Sequence, residues 1–119
     1  MRSPRESYET SRRILQRIED GEEALTSTAV IQEVVDWLEY NHRRREVKSF
    51  LMAINSYLSM DKINASWDEM LLALDDMEGY DIDFVDALTL QAMKRNKTEE
   101  IYSNDTDFDR VTWMTRIWE

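Results

Sequence analysis

The sequence predicts an α/β domain built on a small, mostly parallel sheet. Short apolar segments of strand length alternate with amphipathic helical stretches, the pattern of strand–helix–strand units. At 119 residues the chain has room for one domain and one modest core. No internal repeat, low-complexity tract or linker interrupts the alternation. Leu, Ile, Val and Phe together number 27 of 119. That is just above the roughly 20% below which a highly charged chain stays disordered, so a folded domain with a small margin is expected.

The elements follow in order. Ser7 to Asp20 reads as a helix, with Ile14, Leu15 and Ile18 as its apolar stripe and Gly21 at its end. Ala24 to Ser27 is too short for a helix and reads as a buried strand. A second helix runs from Thr28 to Tyr40 through Val30, Ile31, Val34, Val35 and Leu38. After the polar segment Asn41 to Arg45, a third carries Val47, Phe50, Leu51, Ile54 and Leu58. Lys62 to Ala65 is a weaker strand. Ser66-Trp67-Asp68-Glu69 then has the Ser-x-x-Glu form of a capping box. It opens a fourth helix through Trp67, Met70, Leu71, Leu74 and Met77 that stops at Gly79. A fifth starts near Asp83 and ends near Asn96. Glu100 to Ser103 is a third strand, and Trp113 to Trp118 holds a last one.

Composition removes several classes of function. The chain has no cysteine, hence no disulfide, thiolate zinc site or cysteine nucleophile. Two glycines, Gly21 and Gly79, cannot make a dinucleotide fingerprint or a phosphate-cradling loop. One histidine, His42, excludes any two-histidine site. No apolar run approaches the ~20 residues of a membrane span, and Met1-Arg2-Ser3-Pro4-Arg5-Glu6 has no apolar export region. A cytoplasmic protein with no membrane partner is expected. The net charge of -10 is unevenly placed: residues 1–60 carry 9 basic and 10 acidic groups, residues 61–119 carry 6 and 15. A uniformly acidic surface would repel nucleic acid; this split need not.

In an open parallel sheet, reactive groups gather beyond the carboxyl ends of the strands. Three segments put acids there. Glu33 follows the first strand, standing between Val30 and Val34 on a largely apolar helix face. Asp86 lies in the first turn of the fifth helix. Asp105, with Asp107 and Asp109 behind it, follows the strand Glu100 to Ser103. A carboxylate buried without a partner costs several kcal/mol, so Glu33 is expected to be paired or metal-bound. Carboxylates converging without histidine or cysteine suit Mg²⁺ or Mn²⁺, and the chemistry that most often uses such a cluster is phosphodiester hydrolysis. The competing interpretation is solvated surface acids and helix caps.

Ile101-Tyr102-Ser103-Asn104-Asp105-Thr106-Asp107-Phe108-Asp109 resembles the C-terminal signature of PIN domains. Asp83-Phe84-Val85-Asp86-Ala87-Leu88 resembles their upstream Asp-Ala helix start, and Thr26 to Glu33 their strand, serine, helix and inward Glu. The resemblance spans roughly Tyr8 to Glu119. It implies a three-layer α/β/α fold and an activity like that of VapC-type toxins, metal-dependent endoribonucleases held by cognate antitoxins. It makes Glu33, Asp86 and Asp105 metal-binding carboxylates and Asp107 an accessory acid. Ser103 would orient the site, and RNA, an antitoxin and a second copy of the chain would be partners. One feature departs from the family. PIN domains open with a central apolar strand ending in Asp-Thr-Asn, whose Asp is a principal metal ligand; Met1 to Glu6 resembles the loop after that strand, so the family's first acid has no counterpart in this sequence. A longer natural protein or a degenerate member would account for this, and a gap in the sheet is expected either way. A non-catalytic PIN-like interaction protein is the alternative.

Other patterns carry less. Asp105-x-Asp107-x-Asp109 opens like a calcium loop, but Arg110 stands where Gly is required and Arg116 where a bidentate Glu is needed. Arg43, Arg44 and Arg45, with Lys48, form the densest basic cluster: RNA-phosphate contacts or an ordinary solvated turn. Trp113 and Trp118 read as packing residues.

Overall fold

The computed structural model describes residues 4–119. Met1 to Ser3, read above as part of a loop, lie outside the described residues; Pro4 to Glu6 form the first turn of helix α1 (Pro4–Glu19). Proline suits a first turn because it lacks only an amide that has no helical partner there. Ile14 and Ile18, one turn apart, bury their side chains, whereas Leu15 turns toward solvent. Gly21, at φ +112°, ends the helix. Its N–H donates to Ile18 O at 3.0 Å and that of Glu22 to Arg17 O at 3.0 Å, a paired closure that needs a left-handed residue.

Strand β1 (Ala24–Ser27) leads directly into α2 (Thr28–Tyr40), capped by Ser27, whose Oγ accepts from Ala29 N at 3.0 Å. Helix α3 (Glu46–Ser56) follows. Leu58, expected on its stripe, lies beyond its end and is 95% exposed. Strand β2 is Met60–Ile63, two residues earlier than the sequence suggested. Register sets it: β2 pairs parallel with β1, Ala24 opposite Met60 through Ser27 opposite Ile63. Met60 packs with Ile14 and Ile18, so burial of one side chain outweighs the charged pair after it.

Helix α4 (Trp67–Tyr80) has its capping box in full: Ser66 Oγ accepts from Glu69 N and Glu69 Oε1 from Ser66 N, both at 3.1 Å. It runs through Gly79 to Asp81, which closes it at φ +55°. Its inner face differs from the expected stripe. Ala73 and Asp76 are buried and Met70 and Met77 half-buried, while Trp67, Leu71, Leu72 and Leu74 are exposed. Helix α5 (Phe84–Arg95), capped by Asp83, is the central element. Ala87, Leu88, Leu90 and Met93 form the main core with Ala73, Ile82, Phe108 and Val111. Asp76 enters the α4–α5 seam because Gln91 Nε2 donates to it at 2.7 Å and Lys94 approaches at 3.4 Å.

Strand β3 (Glu100–Tyr102) is followed by a 3-10 turn (Thr106–Arg110) and β4 (Thr115–Ile117). β3 pairs parallel with β4. Among the described residues there are two separate two-stranded parallel sheets, β1–β2 and β3–β4. The fold class holds as a helix-rich α/β domain with small parallel sheets, and the expected gap separates the two pairs.

Besides Asp81, two more helix ends use the left-handed conformation without glycine, at His42 (φ +60°) and Lys97 (φ +54°). At the second, Lys97 N donates to Lys94 O at 3.2 Å and Thr98 N to Met93 O at 2.9 Å. A side chain there costs roughly 1 kcal/mol relative to glycine. Lys97→Gly is therefore expected to raise unfolding free energy by about 0.5–1 kcal/mol in urea titration; no change or a loss would contradict this account of the cap.

Candidate functional site

Three segments carry the candidate acids. β1 ends at Ser27, whose cap starts α2 and so fixes where Glu33 stands, one and a half turns on. Asp83 caps α5 and holds its first turn: Asp83 Oδ1 accepts from Asp86 N at 2.9 Å. β3 runs into Ser103, whose Oγ accepts from Asp105 N at 3.0 Å. Asp105 in turn caps the 3-10 turn, its Oδ1 accepting from Asp107 N at 2.9 Å.

Electrostatics links some of these acids. Asp86, half-buried at the start of α5, has its carboxyl pushed up to about 7. Burial is the largest cause, followed by the charges of Asp83, Asp105 and Glu33. Two of the expected carboxylates, Asp105 and Glu33, therefore act on the third, Asp86. Glu33 is also pushed up, first by partial loss of solvent and then by Asp83 and Asp36. It is exposed, not enclosed in the apolar face of α2 as the sequence suggested. A one-residue rotation around the helix separates it from the half-buried Val34.

The remaining expected residues sit differently. Asp107 is ion-paired with Arg110 at 3.2 Å and is not among the charges pressing on Asp86. Arg43 is held by Glu46 and lies over the Trp37 ring at 5.7 Å. Arg43, Arg44 and Arg45 form the α2–α3 turn. Roughly 10 Å of helix axis separates Glu33 from the end of α2 before that turn begins.

Two residues were missed. Asp83 read only as a helix start, yet it is the strongest charge on Asp86. Arg116 read only as a failed calcium position, but its Nη1 donates to Ser103 O at 3.2 Å and its Nε to Asp109 at 2.9 Å. Asp105 also acts on it, so it is a cation beside the acidic cluster. Neither has a local sequence signal, since both depend on what β3, β4 and α5 bring together.

The donor set fits a hard divalent cation in kind: carboxylate oxygens, one of them crowded by like charge that a cation would relieve. The spacing is more open. Among the described residues, no group of three or more His, Asp or Glu is gathered closely enough to hold a metal ion.

The chain matches the family model described as the PIN domain over residues 1–114. The crystal structure of VapC20 from Mycobacterium tuberculosis, a toxin that cleaves the sarcin-ricin loop, is similar in fold, with a TM-score of 0.67 at 20% identity. The likeness covers 82% of this chain and 78% of that one. No curated protein matches.

Proposed function

Because the chain belongs to the PIN-domain family, we propose that it is a divalent-metal-dependent endoribonuclease that hydrolyses RNA phosphodiester bonds. The reading extends to a cytoplasmic toxin, working as a homodimer and held by an antitoxin. The observation that supports it is the raised carboxyl of Asp86, caused first by burial and then by the charges of Asp83, Asp105 and Glu33. Glu33, Asp86 and Asp105 would hold Mg²⁺ or Mn²⁺. A bound cation there supplies a nucleophilic water near neutral pH and offsets charge on the phosphate oxygens.

The chain's own residues do the positioning. Asp83 fixes the α5 turn that carries Asp86, and Ser103 fixes the backbone of Asp105. Arg116, tied to Asp109 and to the carbonyl of Ser103, supplies positive charge on the β4 side of the cluster. Below about pH 7, Asp86 keeps a proton that a cation must displace. Since VapC20 cleaves the sarcin-ricin loop, a structured ribosomal RNA loop is the first substrate to try.

A second reading is favoured by one observation. The acids are not gathered at metal-ligand spacing, which suits a PIN-like protein that binds partners without cleaving RNA. Calorimetric titration with Mn²⁺ separates the two. The nuclease reading expects saturable binding at pH 8, about tenfold weaker at pH 6, with proton release on binding. No binding at millimolar Mn²⁺ and pH 8 would overturn it in favour of the second.

A further inference from the structure

The turn that carries Asp105 is attached to the rest of the fold by two arginines. Phe108 and Val111 seat its far end in the main core, but none of residues 103–107 is buried and Asp105 is exposed. Hydrophobic packing therefore does not fix where the Asp105 carboxylate stands. The bonds from Asp105 N to Ser103 Oγ and from Asp107 N to Asp105 Oδ1 shape the turn from within. They do not tie it to a neighbouring element.

Arg116 makes the first attachment. It stands on β4 opposite Ile101 of β3, and its planar group donates in two directions. Nη1 donates to Ser103 O at 3.2 Å, ahead of Asp105 in the chain. Nε and Nη2 donate to the two carboxylate oxygens of Asp109 at 2.9 and 3.3 Å, behind it. One side chain thus grips both ends of the turn, which needs the arginine fork and which a lysine ammonium cannot reproduce. Arg110 makes the second attachment. Its Nη2 pairs with Asp107 at 3.2 Å, and its Nη1 donates to Asp81 O at 2.6 Å. Asp81 closes α4 two residues before Asp83, whose cap holds the first turn of α5 and with it Asp86.

We propose that Arg116 and Arg110 are positioning residues that clamp the turn 103–109 and so fix Asp105 relative to Asp86. The consequence for cation binding rests on the nuclease reading; the rigidity of the turn does not. Global stability does not explain the pairs, because Asp109 and Arg110 are exposed and exposed ion pairs add little. Bare charge does not explain them either. Asp105 and Arg116 are close enough to act on each other, and a fixed cation beside the acids repels a divalent ion. Removing that charge alone would tighten Mn²⁺ binding. Removing the clamp works the other way, since a loosely held carboxylate makes a poorer ligand. The sign of the change separates the two roles.

The test compares the full chain with Arg116→Gln, Arg116→Lys and Arg110→Gln. In the metal-free protein, the NMR backbone order parameters of Asp105 and Asp107 are expected to fall from about 0.85 to below about 0.6 in each variant, with Leu90 of α5 unchanged. Calorimetric titration with Mn²⁺ should show binding about tenfold weaker in each. Asp109→Ala, which keeps Arg116 but opens its fork, should loosen the same amides and covers the case of an Arg116 variant that fails to fold. Rigid Asp105 and Asp107 amides in the variants, or equal loosening at Leu90, would overturn the clamp. So would tighter Mn²⁺ binding by Arg116→Gln or full recovery by Arg116→Lys, because charge would then be the role. If the parent chain binds no Mn²⁺, the nuclease reading falls and the order parameters alone decide the clamp.

Discussion

Asp86→Asn is expected to reduce metal-dependent RNA cleavage by about 100-fold or more while making the metal-free protein more stable at pH 8. The loss follows from removing one of three carboxylates proposed to hold the cation; even changes one layer further out from a metal cost 10–100-fold. The gain follows from the raised carboxyl of Asp86. Below about pH 4 the group is protonated in both folded and unfolded chains, and the variant and parent should be alike. Between pH 4 and 7 the unfolded chain gives up this proton first, so the parent loses stability as pH rises. Above pH 7 both forms are ionised and the full penalty applies, first of burying the Asp86 carboxylate and then of crowding it against Asp83, Asp105 and Glu33. Asparagine carries none of it. Half-exposure screens these charges strongly, so the difference at pH 8 is on the order of 1 kcal/mol, well below what the shift alone implies. Urea unfolding at pH 4 and pH 8, alongside cleavage of a labelled RNA hairpin, reads both halves. Equal cleavage by variant and parent would remove Asp86 from the proposed site. A stability difference independent of pH would mean that its carboxyl is not crowded by charge.

Site and fold were legible in the sequence to different depths. Local signals carried well. Ser27, Ser66 and Asp83 start helices where their side chains can take a backbone N–H, and strand–helix alternation gave the parallel pairing. Features set by tertiary contact did not carry. β2 begins at Met60 because that side chain reaches Ile14 and Ile18, a contact between residues more than forty positions apart. On α4 the larger apolar residues suggested one face, yet Ala73 is fully buried, in one core cluster with Ala87, Leu88 and Leu90 of α5. Small side chains permit such approach and leave little hydrophobic signal. Asp76 is buried against every expectation from its type because Gln91 and Lys94 meet it there. At the candidate site, the three acids were named from motifs in chain order: Glu33 one and a half turns into α2, Asp86 in the first turn of α5 and Asp105 after β3. Asp83 and Arg116 could not, because their role is relational.

The contrast on α4 and α5 gives the other large expected effect. Leu90 is fully buried at the centre of the main core, whereas Leu74 is 54% exposed. Leu90→Ala removes its transfer free energy and leaves a cavity among Ala73, Leu88, Phe108 and Val111, residues fixed by two helices and a 3-10 turn. Collapse is restricted, so a loss of about 3–4 kcal/mol is expected, within the 2–5 seen for such truncations. Against a total stability of about 5–15 kcal/mol that is a large fraction, and the melting temperature should fall by roughly 10 °C. Leu74→Ala, the same chemical change one helix away, is expected to cost about 0.5 kcal/mol or less in dilute solution, because most of that side chain is already in water. Chemical denaturation of both variants at two protein concentrations decides the matter. If Leu74→Ala costs as much as Leu90→Ala at every concentration, α4 presents a different face to the core. If its cost grows with concentration, the row of Leu71, Leu72 and Leu74 is covered by a second copy of the chain, as in the homodimer proposed above.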